Sequence, residues 1–240
     1  MKRYFTLLKG ILLLGFVIFL YSFSSHRHAK KEIVIGDIKF ENGDNLYLTY
    51  PMVNKLLIQN HGGLNSQPKE NLFLNQLEKN LFSNQMIENA EVFLSVDGKL
   101  GAIIKQKTPI ARVNQGEYSY YIDDKGKPMP LSSNYSARVP IVEGVDNENI
   151  TPELYALVKF IDNDEFLKKQ IVGVIQKDMG RFELKTRIGN QVVEIGTIDQ
   201  LAYKTNKLKV FFQKAIKDNT LNKYSKINLV YSNQVVCTKK

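Results

Sequence analysis

"AEVFLSVDGKLGAIIKQ", residues 90–106, decides the fold of the first half of this chain. Val92, Leu94 and Val96 occupy alternate positions, so they lie on one face of an extended segment. Asp97-Gly98 follows, and this dipeptide is typical of a two-residue hairpin turn. A second apolar run then leads to the end of the stretch. The pattern predicts an antiparallel β-hairpin.

The residues before the hairpin predict one strand and two helices. "IVIGDIKFENG", residues 33–43, alternates as a strand does and ends in the turn signal Asn42-Gly43. A helical pattern follows and stops at Gly62-Gly63. Residues 74–81 carry leucines at helical spacing. Residues 32–108 are therefore expected to form a small β-α-α-β-β domain, in which two helices cover one face of a three-stranded sheet.

The chain begins with a long apolar segment. "YFTLLKGILLLGFVIFLYSF", residues 4–23, is interrupted only by Lys9, which could snorkel to an interface. Since about 20 helical residues cross a bilayer core, a single transmembrane helix is predicted at residues 5–24 after a short tail, residues 1–4. Two alternatives stay open: a signal peptide cleaved near Ser22-Phe23-Ser24, and a buried core helix.

The net charge of +9 is concentrated beside this apolar segment. Residues 1–31 contain six basic groups and no acidic one, which leaves 27 basic and 24 acidic groups in the remainder. This distribution points to lipid phosphate as the partner and argues against nucleic acid. Basic groups flank the segment on both sides, so charge does not decide its orientation.

The second half predicts a β-rich domain over residues 109–240. "SYYIDDKGKPMPL", residues 119–131, contains a strong turn signal, and "TPELYALVKFI", residues 151–161, has a helical apolar stripe. "DNDEF", residues 162–166, lacks the ligand series of a calcium loop and is expected to be a helix junction. Residues 171–196 predict three strands in an antiparallel meander. The predicted fold class is α+β, with helices covering the meander.

"GTIDQLAYKTNKLKVFFQKAIKD", residues 196–218, has the clearest helical pattern. Thr197 and Gln200 have the spacing of a capping box. Apolar residues form one stripe, and five lysines, including Lys204, lie mostly off it. This helix is expected to pack on the meander with a wet, lysine-rich face; contact of that face with a membrane is the alternative.

The chain closes with "KINLVYSNQVVC", residues 226–237. Ile227, Leu229 and Tyr231 alternate as on a strand with one buried face. Little chain follows that could cover this strand, so it is expected to be an open edge to which a partner could add a strand. The alternative is an interior strand paired on both sides. Cys237 is the single cysteine, which excludes an intrachain disulfide and leaves an intermolecular bridge open.

No catalytic constellation stands out in the sequence. The adjacent carboxylates Asp123 and Asp124 would point to opposite faces of an extended segment, and they fit a turn better. The three histidines do not form a recognisable set with the cysteine, and phosphate-binding glycine loops and zinc-spaced clusters are absent from the sequence. We therefore expect no enzyme activity, cofactor, metal or small-molecule substrate. A membrane-anchored periplasmic enzyme or carbohydrate-binding protein is the alternative.

Four motifs in this order resemble the bacterial division proteins of the FtsQ/DivIB family. The first is "QKTPIARV" at residues 106–113, in which Lys107 replaces a more usual arginine. The others are "YYIDDKG" at residues 120–126, "PIVEG" at residues 140–144, and the pattern G-x-I-x-x-L-x-x-K-x-x-K-L at residues 196–208.

This resemblance implies a POTRA domain, a β domain and a single-pass anchor in the cytoplasmic membrane. It implies a cytoplasmic N-terminus, a periplasmic bulk and a position at the division septum. The implied function is a non-enzymatic scaffold that binds FtsB- and FtsL-type proteins and other divisome membrane proteins, and that links early and late division proteins to septal peptidoglycan synthesis.

The resemblance also implies two sets of functional residues. The partner-binding set is Ile227, Asn228, Leu229, Val230, Tyr231 and Ser232. A domain-junction set comprises Gln106, Pro109 and Arg112.

Overall fold

The computed structural model describes residues 2–29, 34–41, 46–59, 74–116, 118–145 and 149–240. The expected turn at Asn42-Gly43 and helix stop at Gly62-Gly63 lie outside these residues. The chain divides into two compact units, Met1–Gln106 and Lys107–Lys240. Each unit has its own cluster of buried apolar side chains.

The first unit contains three helices and three strands among its described residues. In chain order they are α1 (Lys2–Ala29), β1 (Val34–Phe40), α2 (Tyr50–Gln59), α3 (Leu74–Phe82), β2 (Ile87–Leu94) and β3 (Lys99–Gln106). The strand order is β1-β3-β2, with β3 parallel to β1 and antiparallel to β2. The predicted hairpin is therefore present, and the elements after α1 follow the expected β-α-α-β-β order.

Helix α1 includes the whole of the predicted span, residues 5–24. Its described side chains, residues 9–23, are all exposed. Judged on the described residues, no helix combines the length and the apolar character needed to cross a membrane.

The core of the first unit lies between its sheet and helices α2 and α3. Leu57 of α2 and Leu77 and Leu81 of α3 are fully buried against alternate residues of β3, among them Leu100 and Ile104. Full burial of one such side chain stabilises a fold by about 1.5–3 kcal/mol. The helical spacing of the leucines thus supplies the apolar face that the sheet needs.

The second unit contains a nine-stranded sheet. Its elements are β4 (Pro109–Gln115), β5 (Tyr118–Asp123), β6 (Pro128–Met129), β7 (Ile141–Glu143), α4 (Pro152–Asn163), α5 (Glu165–Gln170), β8 (Ile171–Lys177), β9 (Arg181–Thr186), β10 (Val192–Gly196), α6 (Leu201–Lys217), β11 (Tyr224–Asn228) and β12 (Val236–Lys239). The strand order is β12-β11-β10-β9-β8-β7-β4-β5-β6.

The predicted antiparallel meander is confirmed as β8-β9-β10. The rest of the sheet is mixed, because β7 is parallel to both β4 and β8, and β11 is parallel to β10. Helices α4 and α6 contribute buried stripes to the same core as these strands. The α+β class is confirmed, with one large sheet in this unit.

The predicted capping box of α6 is wrong. Gln200 has a left-handed backbone with φ 54°, and its side chain makes no capping hydrogen bond. Thr197 Oγ1 donates to the carboxylate of Asp199 at 2.7 Å, and both residues precede the first residue of the helix, Leu201. Lys204, expected on the wet face, is instead buried and donates to the Thr197 carbonyl at 2.8 Å. Burial lowers the pKa of Lys204.

The assignment of residues 227–232 as an open edge strand is also wrong. Strand β11 ends at Asn228 and lies inside the sheet, between β10 and β12. The Asn228 side-chain oxygen accepts a hydrogen bond from the Val230 N–H at 2.9 Å, an Asx turn that bends the chain out of the ladder. The chain then returns antiparallel as β12, Val236–Lys239, which is the strand at this edge.

Candidate partner-binding surface

Strand β12 presents backbone groups at the edge of the sheet. The N–H of Lys240 donates to the Lys223 carbonyl at 2.9 Å, so this N–H points inward toward the chain segment of β11. Backbone groups of successive strand residues point to opposite sides. Cys237, three residues earlier, therefore directs its N–H and carbonyl away from β11. No strand of the described residues pairs with β12 on that outer side.

Charged side chains hold the neighbouring β11 in its interior position. Lys226 Nζ lies 2.9 Å from Glu194 Oε2 on β10 and 3.4 Å from Glu183 Oε1 on β9. The hydrogen bond with Glu194, with a further contribution from Glu183, raises the pKa of Lys226. The Asn228 amide also donates to Glu194, at 2.9 Å. The edge strand β12 thus pairs with β11, whose side chains form ion pairs and a hydrogen bond with the next two strands of the sheet.

A groove of about 420 Å³ borders the start of β12. One wall is the outer face of α6, where Val210 is 65% exposed beside Tyr203 and Phe211. The other wall is the loop of residues 233–235, which leads directly into β12. Lys207 and Lys214 are the charged residues in the lining, which contains no carboxylate. The groove can accept apolar side chains and favours an acidic neighbour.

Lys207 and Tyr203 fix the loop that forms this groove. Lys207 Nζ donates to the carbonyls of Leu229 at 3.2 Å and Ser232 at 3.3 Å, and also to that of Tyr231. The ammonium group lies 5.0 Å from the centre of the Tyr203 ring. The Tyr203 hydroxyl donates to the Ser232 carbonyl at 2.7 Å. Helix α6 therefore holds the turn between β11 and β12.

The structure separates the six predicted partner-binding residues into two groups. Ile227 and Leu229 are fully buried in the core, so their side chains cannot contact a partner directly. Asn228 is partly buried, and its side-chain amide donates a hydrogen bond to the Glu194 carboxylate. Val230 and Tyr231 are 47% and 52% exposed, and Ser232 is exposed as well. These three residues lie on the turn after β11. The edge strand β12 begins four residues after Ser232, at Val236.

The profile of the family described as "FtsQ/DivIB, C-terminal related" matches residues 108–238, which is more than half of the chain. The chain belongs to this FtsQ/DivIB-related family. Membership indicates a division-associated membrane protein of a non-enzymatic family. No curated protein matches the chain. The range shared with the FtsQ/DivIB-related family includes the groove, the turn and most of β12.

The residues of the first FtsQ/DivIB-like motif lie at the ends of two units. The Gln106 side-chain oxygen accepts from the N–H groups of Tyr47 and Leu48 at 2.9 and 2.8 Å, within the first unit. Pro109 opens β4, and the Arg112 N–H donates to the Pro140 carbonyl at 2.9 Å, within the second unit. A role at the domain junction stays a prediction for these residues.

Lys107, where the family usually carries arginine, lies next to the turn that the paired aspartates predict. Its Nζ is 3.4 Å from the carboxylate of Asp123, which is only 1% exposed. The same carboxylate accepts from the N–H groups of Lys125 at 3.0 Å and Lys127 at 2.7 Å. Asp123 thus closes the hairpin turn. In the described part of the chain, no three His, Cys, Asp or Glu side chains are placed to hold a metal ion.

Sequence reasoning missed the edge strand β12 and the groove. Ser232-Asn233 is a turn signal between two apolar runs, and it could have indicated a hairpin rather than one long strand. The groove has no comparable signal, because the residues of its two walls are 19 to 32 positions apart in the chain. Cys237 lies in strand β12. Its side chain packs against the core, and burial raises the pKa of its thiol.

Proposed function

We propose that this protein is a non-enzymatic, membrane-anchored scaffold of the bacterial division machinery, which binds FtsB- and FtsL-type partners by strand addition to β12. The observation that carries the proposal is the outward-facing N–H and carbonyl of Cys237 on the last strand of a large sheet. Strand addition uses such groups for affinity and alternate side chains for specificity. The family relationship supports a protein of the division machinery as the partner.

Two features of β12 disfavour its pairing with strands of unrelated chains. β12 has only four residues, and Lys239 and Lys240 follow its centre. Short edge strands and lysines are common means of protecting an open edge. Each backbone hydrogen bond to a partner contributes about 0.5–1.5 kcal/mol net. A tight complex therefore needs further contacts, which we assign to the groove beside α6 and to the exposed side chains of Val230 and Tyr231.

Helix α1 is the proposed anchor in the cytoplasmic membrane. Apolar side chains from Ile11 to Phe23 are exposed around it, which is costly in water and favourable in lipid. With the N-terminus cytoplasmic, both folded units would lie in the periplasm at the division septum. The β-α-α-β-β unit would act as a POTRA-type module toward other divisome membrane proteins, and the whole scaffold would link them to septal peptidoglycan synthesis.

A proline at position 237 tests the proposed strand addition. Cys237→Pro removes an N–H that points outward, so it should leave the β11–β12 ladder intact and weaken co-purification of the FtsB-type protein of the same genome at least 10-fold. Cys237→Ala is the matched control, because it loses the thiol and keeps the N–H. The control should bind as the native protein does, and both variants should keep a native thermal transition.

Equal binding by Cys237→Pro and the native protein would contradict strand addition at β12. If Cys237→Pro lowers the thermal stability, a photo-crosslinking residue at Val230 provides a second measurement. Val230 is half-exposed on the turn before the edge, so this substitution should leave the fold unchanged. We expect the crosslinker to capture the FtsB-type partner in dividing cells, and failure to capture it would count against the proposal.

A further inference from the structure

A second cleft, of about 240 Å³, lies at one end of the sheet in the second unit. β7 is parallel to β4 and β8, whereas β9 is antiparallel to β8. The beginnings of β4, β7 and β8 and the end of β9 therefore meet at the same end of the sheet. Ile110, Pro140, Ile171 and Arg187 line the cleft from these four strand ends. None of its lining residues belongs to the groove beside α6.

The cleft carries an excess of positive charge. Its lining contains Arg138, Lys168 and Arg187, against the single carboxylate of Asp162. Lys168 Nζ is 2.6 Å from Asp162 Oδ1, so that carboxylate already has a cation as a neighbour. Among the described residues, neither arginine forms an ion pair with a carboxylate. Two guanidinium groups thus border one cleft without a matching negative charge.

Backbone hydrogen bonds hold the two arginines at the cleft. The N–H of Arg187 donates to the Gln170 carbonyl at 2.7 Å, directly before β8. The Pro140 carbonyl, two residues after Arg138, accepts from the Arg112 N–H at 2.9 Å. The floor between them is apolar, since Ile110, Ile161 and Ile171 are nearly fully buried. The backbone of Arg187 and the backbone two residues after Arg138 are therefore fixed at the strand ends that border the cleft.

We propose that this cleft binds a phosphate group. Guanidinium groups present paired N–H donors that match the oxygens of phosphate in a bidentate manner. A volume of 240 Å³ corresponds to roughly eight water molecules at about 30 Å³ each. That is room for a charged headgroup and its first carbon atoms. The apolar floor and the partly exposed Val172 suit the carbon atoms of such a ligand.

The phosphate can belong to a lipid headgroup or to a soluble phosphate ester, and titration calorimetry distinguishes the two. The full-length protein in a zwitterionic detergent is titrated at low ionic strength with inorganic phosphate, glycerol 3-phosphate and dihexanoylphosphatidylglycerol. We expect saturable binding that weakens as salt is added, because the arginines are solvent-accessible. At least 10-fold tighter binding of the lipid than of glycerol 3-phosphate assigns a lipid headgroup, and equal binding assigns a soluble ester.

The double variant Arg138→Gln/Arg187→Gln should lose at least 10-fold in affinity for every probe that binds. Arg181→Gln is the matched control, since Arg181 is an exposed arginine of the same unit outside the cleft. The control should bind normally, and all three proteins should show the same thermal transition. The proposal is overturned if no probe binds, or if Arg181→Gln loses as much affinity as the double variant.

Discussion

At the scale of single residues, Asp164 joins three helices. It ends α4 and begins α5, where its side chain accepts from the N–H groups of Phe166 and Leu167, both at 3.0 Å. Lys209 of α6 donates to its other oxygen. The prediction of a helix junction at residues 162–166 is confirmed, and the contact with Lys209 explains why an acid suits this position better than another capping residue.

We predict that the stabilising effect of Asp164 depends on pH. Burial would raise the pKa of Asp164, but the hydrogen bonds from Lys209 and from the Leu167 N–H outweigh it and hold the pKa below the ordinary value of 3.8. A depressed pKa means that the stabilisation is present above pH 3.8 and disappears as the pH falls through the folded-state pKa. Asparagine caps a helix about as well as aspartate, so Asp164→Asn removes mainly the charge that faces Lys209 and the helix N-terminus. It should therefore lower the free energy of unfolding by about 1 kcal/mol at neutral pH, and progressively less in acid.

Urea denaturation at several pH values measures this difference. Asp178→Asn is the control, because Asp178 is exposed and the substitution changes the same charge. Its effect should stay within about 0.5 kcal/mol, as is usual for surface substitutions. A difference between Asp164→Asn and the native protein that persists unchanged below pH 3 would show that the carboxylate charge is not what stabilises the junction.

Lys204 shows that the position of a residue in the helix can outweigh its charge. It lies three residues after Leu201 and four before Leu208, so the period of α6 places it on the apolar stripe, where it is buried and donates to the Thr197 carbonyl before the helix. A long side chain can bury its methylene groups and still bring its charge to a carbonyl. Helical periodicity describes a regular helix, and it contains no information about the loop that folds back over the first turn.

At the scale of elements, Gly144 allows β7 and β8 to lie side by side. It follows β7 with φ +78°, and a Cβ at this position would lie 2.3 Å from the Gln176 carbonyl oxygen of β8. The conformation is strained for other residues, and the contact leaves no room for a side chain. The motif "PIVEG" at residues 140–144 thus has a physical reason for ending in glycine.

We predict that Gly144→Ala lowers the free energy of unfolding by about 2–4 kcal/mol, because backbone strain and a clash with backbone act together. Gly180→Ala is the control, since Gly180 also has a positive φ, +66°, but nothing lies within 4 Å of its Cβ position. The control should lower the free energy of unfolding by about 1 kcal/mol, from the backbone strain of the positive φ alone. Urea denaturation measures both losses. If Gly144→Ala and Gly180→Ala lose the same free energy of unfolding, the close approach of the Gln176 carbonyl oxygen does not exclude a side chain at position 144.

At the scale of the whole molecule, the chain has two separate cores. The buried cluster of the first unit draws on residues 38–104, and that of the second on residues 110–229. A unit with its own core can fold independently. Function can therefore be divided between the units, with the proposed partner edge and the proposed phosphate cleft both carried by Lys107–Lys240.

We predict that residues 107–240 fold alone. The fragment should unfold in one cooperative transition, with a urea m-value of about 1–3 kcal/mol/M, when followed by circular dichroism. A fragment of residues 107–235 lacks β12, exposes the outer side of β11, and should be less stable and prone to association. A gradual, non-cooperative loss of structure in the longer fragment would contradict the independence of this unit.

The sequence by itself determined the elements whose partners are close in the chain. The hairpin of residues 90–106, the stripe of α4 and the meander β8-β9-β10 follow from periodicity and turn chemistry, which act over a few residues. Only the tertiary structure decided which strand is the edge. That depends on the Asx turn at Asn228 and on the parallel pairing of β11 with β10, about 30 residues away. Likewise, Arg138 and Arg187 line one cleft because the ends of β4, β7, β8 and β9 converge there. Periodicity along the chain does not say which strands pair.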